Sequence, residues 1–123
     1  MDAVWLSLMA PLLYRPEIGH LLREGFDLSA ALLFYLLYVS GMVAFAIAPA
    51  ISGRQPLHAG WRGALLGAVA YGTYDLTNQA TLRDWSWLVT LADLGWGMFA
   101  TASASVVASA ATNAIFQRSA ERP

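Results

Sequence analysis

Long apolar runs separated by short charged clusters divide the chain. One run occupies 29–51 (SAALLFYLLYVSGMVAFAIAPAI); it opens after a helix cap at Asp27 or Ser29 and closes near Pro49 and Gly53. A second covers 61–82 and a third 85–112. A bilayer core about 30 Å thick is crossed by roughly 20 helical residues, so each run predicts a transmembrane helix. Trp61, Trp85 and Trp87 stand at run ends, where interfacial indoles anchor a helix. The opening run, 1–14 (MDAVWLSLMAPLLY), is also helix-compatible but reaches only about 20 Å at ~1.5 Å per residue. A crossing that began at Met1 would leave Asp2 and an amino group deep in hydrocarbon, at a cost of several kcal/mol. The run therefore reads as an interfacial helix or as the second half of a first transmembrane helix whose start lies upstream. In 15–28 (RPEIGHLLREGFDL), Pro16 suits a first helical position, and Ile18, Leu21, Leu22 and Phe26 recur at spacings of three and four. This predicts a short amphipathic helix over about 16–26 on the membrane surface, serving as a connector or as a lid or partner surface.

Composition strengthens the membrane reading. The 123 residues leave room for one domain, 1–123, and 58% are apolar while 12% are charged, about half the charged fraction of soluble proteins. A net charge of −1 without a single Lys offers no basic patch for nucleic acid. The absence of Cys removes disulfides, thiolate metal sites and cysteine nucleophiles. His20 and His58 lie in separate polar segments without ligand spacing to Asp or Glu, so no metal site is expected. With no phosphate loop and no nucleophile elbow, no catalytic residue and no cofactor are assigned, and no basic segment precedes the first apolar run as a cleavable signal peptide requires. Arg15, Arg23 and Arg83 share one side of the predicted bundle, and Arg54, Arg62, Arg118 and Arg122 the other. The positive-inside rule then makes the C-terminus and the 54–62 loop of this multi-pass protein cytoplasmic.

The strings at 32–38 (LLFYLLY), 70–78 (AYGTYDLTN), 80–82 (ATL) and 91–96 (LADLGW), with 2–6 (DAVWL), resemble the small bacterial membrane proteins grouped as domain of unknown function 2177. The resemblance runs over nearly the whole chain. It implies a bundle of four transmembrane helices, the first completed by residues that members carry before the Asp-Ala-x-Trp motif, and it implies no established activity. Members' genes also neighbour those of lipid-modifying enzymes such as cyclopropane synthase-like methyltransferases, which admits an accessory role.

The polar residues inside the predicted spans are the candidates for chemistry. Asp75 and Asp93 fall roughly 10 and 12 Å from the outer ends of their helices, and Tyr35 and Tyr38 roughly 8 to 13 Å into theirs. Asp2 would lie at a comparable depth on a completed first helix. Tyr71, Asp75, Asn78 and Gln79 recur at three and four and so share a face, as do Asp93, Trp96 and Gly97. Asp2 with Trp5 and Asp93 with Trp96 repeat an Asp-x-x-Trp pattern. Intramembrane carboxyls are costly and usually have a task. The candidate site is therefore a polar, aromatic-walled pocket formed by Asp75, Asn78, Tyr71, Asp93, Trp96, Tyr35, Tyr38, Asp2 and Trp5. It would bind or pass a lipid or other small amphiphile, or relay a proton. The plainer reading makes the two aspartates hydrogen-bonding glue between helices. Two further readings are a membrane accessory protein that holds a lipid-modifying enzyme at the bilayer and a membrane enzyme with Asp75 as acid or base. Gly63-xxx-Gly67 and the small residues Ala100, Ser103, Ala104, Val107, Ala108 and Ala111 predict close helix packing, within one chain or between copies in a homo-oligomer.

The predicted topology has a direct test. In intact cells a cysteine at Ser119→Cys should resist an impermeant thiol reagent and one at Ser86→Cys should label; the reverse pattern would invert the bundle.

Overall fold

The computed structural model describes residues 1–22, 25, 27–53 and 55–120, and the side chains of Asp2, Ala3 and Ala120 lie outside that description. Among the described residues there are helices and no strand. The elements are α1 (Asp2–Met9), α2 (Arg15–Ile18), α3 (Leu28–Met42), α4 (Ala48–Ser52), α5 (Pro56–Thr81) and α6 (Trp87–Ala120), with π-helical segments at Ala10–Tyr14 and Val43–Ile47 and a 3-10 turn at Gly19–Leu21.

Proline shapes two of these rods in the same way. A proline lacks an N–H and its ring collides with the carbonyl four residues back, which breaks or kinks an ordinary α-helix. Here the wide turn Ala10–Tyr14 precedes Pro16 by two residues, and Val43–Ile47 precedes Pro49 by two. The wider turn makes room for the ring, so each helix continues past its proline. At Pro49 the carbonyl four back is that of Phe45, and the Arg62 guanidinium donates to it at 3.3 Å. At Pro16 the consequence alters the expected layout. The amphipathic surface helix over 16–26 is not a separate element, because the first helix runs on through Ile18 and ends in a 3-10 turn before Leu22 becomes extended. Ile18, only 3% exposed, packs with Leu13, Trp85 and Val89 against the bundle instead of lying on a surface. The remainder of that expected helix, at Arg23, Glu24 and Phe26, lies outside the described residues.

The other boundaries follow local chemistry. Asp27 caps α3, its carboxylate accepting from the Ala30 N–H at 3.1 Å. Pro56 starts α5 earlier than the apolar pattern at 61–82, since a missing N–H is harmless in a first turn. Ser86 caps α6 by accepting from the Leu88 N–H at 3.2 Å and donates to Glu17 at 2.5 Å, which ties α2 to the hairpin bend. α6 runs on to Ala120, past the apolar limit at 112, because 113–120 contains neither Gly nor Pro.

Two helical stretches, Leu28–Ser52 and Trp87–Ser119, are long and apolar enough to cross a membrane. The expected third full span, α5, has 26 residues but is rich in Gly, Tyr, Thr and amides, which lower its hydropathy. Its glycines and Asp75 turn inward: Gly63, Gly67, Gly72 and Asp75 are buried, while Thr73, Tyr74 and Thr77 are exposed along with Leu65, Val69 and Leu76. Elsewhere among the described residues polar groups are again buried and large apolar ones exposed. Thr90, Asp93, Thr101, Ser105 and Ser109 are buried, whereas Leu33, Leu36, Leu37, Phe45, Leu91, Phe99, Val107 and Ile115 are exposed. In water such an arrangement would forfeit the hydrophobic gain and expose a large apolar patch; in lipid the outer face is at home.

The dominant packing is the antiparallel pair α5 and α6. Gly60 faces Val106, Gly63 faces Ser105 and Thr101, Gly67 faces the Gly97 backbone, and Gly72 faces Leu94. The Gly63-xxx-Gly67 motif thus joins helices of one chain. On α6 the matching ridge is Gly97, Thr101, Ser105 and Ser109, spaced by four, so the small-residue face differs from the one read from the alanines. Val107 in that reading is 68% exposed.

A Cβ at Gly67 would meet the Gly97 carbonyl with no flexible atom to yield, whereas one at Gly95 would meet nothing within 4 Å. Gly67→Ala should therefore destabilise the protein by about 1 to 3 kcal/mol. Gly95→Ala should be neutral or stabilising by up to about 1 kcal/mol through helix propensity. Reversible denaturant unfolding in detergent micelles measures both.

Candidate functional site

The hairpin register decides where the polar residues meet. Gly72 faces Leu94 and, at the bend, the Gln79 amide donates to the Trp85 carbonyl at 3.3 Å. Asp75 lies between these points and so falls opposite the turn of α6 that carries Val89, Thr90 and Asp93. Asp75 and Asp93 are within electrostatic range of each other, and Tyr14 is within range of both.

The two carboxyls differ in what they bond. Asp93, 7% exposed, accepts the Tyr14 hydroxyl on Oδ1, and the Tyr14 oxygen accepts from Trp5 Nε1 at 2.9 Å. The Trp5 ring stacks on Trp96 with centroids 4.6 Å apart and planes 7° from parallel. One turn of α6 thus grips the first helix twice, through Asp93 and through Trp96. This is the glue expected of an intramembrane aspartate. Asp75, 0% exposed, has neither: both carboxyl oxygens are buried and no donor reaches them among the described residues. Its polar neighbours on α5 are engaged elsewhere. Thr77 donates to the Thr73 and Tyr74 carbonyls, and Asn78 hydrogen-bonds with Tyr74. Below Asp75 a chain closes the bend, Trp85 Nε1 donating to Thr90 at 3.0 Å and Thr90 donating to Gln79 Oε1 at 3.3 Å.

The tyrosines belong to a second place. Between α3, α5 and α6 lies a cavity of about 220 Å³ walled by Phe34, Tyr35, Tyr38, Val39, Met42 and Tyr71, with Met1 at its edge and Ala100, Thr101 and Ala104 as its floor. Thr101 spends its hydroxyl hydrogen on the Gly97 carbonyl at 2.6 Å, so Tyr38 is the donor in its bond with Thr101. Tyr38 also stacks on Phe34 at 5.4 Å and meets Tyr71 edge-on at 6.5 Å. A Cβ on Gly97 would collide with the Tyr71 ring, so that glycine lets Tyr71 lie flat against α6 between the two places.

The predicted candidates therefore divide. Asp75, Asp93, Trp96 and Trp5 gather in the carboxyl cluster, and Tyr35, Tyr38 and Tyr71 line the cavity. Asn78 joins neither, being turned toward Tyr74, and the Asp2 side chain lies outside the described residues. Tyr14, Thr90 and Thr101 were not among the sequence candidates. Thr101 was readable from its four-residue spacing to Gly97 and Ser105. Tyr14 was not, because a constant α-helical period puts positions 5 and 14 about half a turn apart, and the wide turn at Ala10–Tyr14 changes that phase. Among the described residues no three His, Cys, Asp or Glu converge to hold a metal ion.

A polar interior inside an apolar shell, with two helical stretches suited to crossing, defines a helical membrane protein. Residues 1–110 match the family described as predicted membrane protein (DUF2177), and the chain belongs to that family. No curated protein and no solved structure matches the chain.

The contrast between the carboxyls predicts opposite responses to removal. Asp93→Leu strands the Tyr14 hydroxyl and should cost about 0.5 to 2 kcal/mol, with a coupling of comparable size in a double-mutant cycle with Tyr14→Phe. Asp75→Ala removes a carboxyl that no donor reaches among the described residues and adds no volume, so it should leave stability unchanged or raised. Micelle unfolding curves of the four proteins and their parent measure the difference.

Proposed function

We propose that the protein binds a small hydrophobic or amphipathic molecule in the cavity between α3, α5 and α6. The observation that carries this reading is the cavity itself, about 220 Å³ with aromatic and alanine walls. Its principal polar atoms, on Tyr38 and Thr101, already satisfy each other. An apolar cavity near ~150 Å³ admits a benzene-sized guest, and pockets for drug-sized ligands begin near ~300 Å³. The occupant is accordingly a compact apolar ring or a segment of an acyl chain, whose polar end stays outside the aromatic walls. Phe34, Tyr35 and Tyr38 supply flat surfaces that contact such a molecule at little entropic cost.

In this reading the protein is a multi-pass component of the inner membrane with its C-terminus in the cytoplasm. α5 makes a third crossing beside the two apolar helices. Its inward-facing Asp75 and glycines support that placement, because against lipid they would be costly and against α6 they are covered.

Native mass spectrometry of the protein released from membrane nanodiscs tests the proposal. The parent should carry a bound molecule at a fixed ratio. Ala104→Phe, which fills the cavity, should lower its occupancy about tenfold or more, corresponding to at least ~1.4 kcal/mol of lost binding. Ala110→Phe, on an exposed part of α6, should leave it unchanged. A parent that carries nothing, or equal occupancy in Ala104→Phe, would reject the cavity as a binding site.

A further inference from the structure

Asp75 is the group that neither packing nor the cavity explains. It sits between α5 and α6 near their bend, 0% exposed, with both carboxyl oxygens buried and without a hydrogen-bond partner among the described residues. Small-residue packing around it would be served as well by Ala or Ser. Among the described residues the groups that face it are Tyr14 from the first helix, Tyr74 beside it on α5, and Asp93 from α6. None of these is a cation. Tyr14 already donates its hydroxyl hydrogen to Asp93, so it has none left for Asp75.

We propose that Asp75 is an intramembrane proton-binding site, holding one exchangeable proton in the folded protein at neutral pH, with Asp93 as the neighbouring carboxylate. An ionised carboxylate needs donors, water or a countercharge, and the geometry around Asp75 provides another acid in their place. Asp93 has what ionisation requires, since a charge-assisted hydrogen bond from Tyr14, itself backed by Trp5 Nε1, stabilises its charged form. Two like carboxyls in one enclosed site titrate as a pair, so the pair carries one negative charge and one proton, and the proton resides on the member without a donor. The ligand is a proton because both carboxyl oxygens are closed off, with Asp75 0% exposed between α5 and α6. The walls of the cavity reach Tyr71, one turn before Asp75, and do not include it. This assignment stands apart from the cavity reading: the cavity could bind nothing and Asp75 would still hold its proton.

Infrared spectroscopy of the full chain in lipid nanodiscs tests it, because the carbonyl stretch of a buried carboxylic acid is separate from carboxylate and amide bands. Protein labelled with carbon-13 at its aspartate side-chain carboxyls should show, at pH 7, an isotope-shifted carboxylic-acid band that resists rapid deuterium exchange. Asp75→Asn, folded by circular dichroism, should lose the band. Should that variant not fold, Asp75→Glu carries the same information: the band returns to its unlabelled position, while Asp93→Glu leaves it at the labelled one. Absence of the band from the parent at pH 7 would overturn the proposal. So would a band that survives Asp75→Asn, or one that follows Asp93→Glu and not Asp75→Glu.

Discussion

The backbone approach of Gly67 to Gly97 is the constraint on which the rest of the bundle depends. Lipid tails are as apolar as leucine, so no hydrophobic gain draws two membrane helices together; what remains is contact area and hydrogen bonding. Glycines on α5, with Gly97, Thr101 and Ser105 at four-residue intervals on α6, supply that contact by letting the axes close. Closing them has three consequences. It sets the register that puts Asp75 opposite Asp93. It presses the Tyr71 ring onto Gly97, which forms one wall of the cavity. It also buries Asp75 between the two helices.

The first helix and α3 are attached to this pair by a few specific contacts. The first helix is held by Asp93 and Trp96 through Tyr14 and Trp5, and by Leu13 and Ile18 packed on Trp85 and Val89. α3 is held by Tyr38 on Thr101, and its continuation by Arg62 on the carbonyl that Pro49 leaves without a helical donor. These bonds join polar groups that lipid could not satisfy, and for that reason they are specific: a sliding of either helix by one residue would leave a hydroxyl or carbonyl unpaired in hydrocarbon.

Much of this was legible in the sequence. Run lengths bounded by charge gave the helices, because hydrophobic thickness is a physical ruler, and Gly63-xxx-Gly67 announced the close pair. The inward face of α5 followed from the three and four spacing of Tyr71, Asp75 and Gln79. The failures share a cause. Pro16 reads as a start signal and Tyr14 as the end of a stub only if helices keep a constant period, and the π turn at Ala10–Tyr14 changes the period. The split of the candidates into a carboxyl cluster and a tyrosine cavity was equally unreadable, since it depends on which neighbour each face of α5 meets. Asn78, one turn beyond Tyr74, bonds within its own helix, an outcome that face-sharing alone does not predict.

The paired proline and π-turn arrangement gives the molecule an uneven stiffness. Along the facing stretch of α5 and α6 the helices meet closely at Gly60, Gly63 and Gly67, and the pair acts as a spine. The other two rods each contain one wide turn whose ladder is already interrupted, so they flex there without breaking further backbone bonds. Both soft points lie on the outer staves of the bundle. Bending at these turns would act on α3 and the first helix, which wall the cavity and hold the carboxyl pair, and would leave the α5–α6 contacts in place.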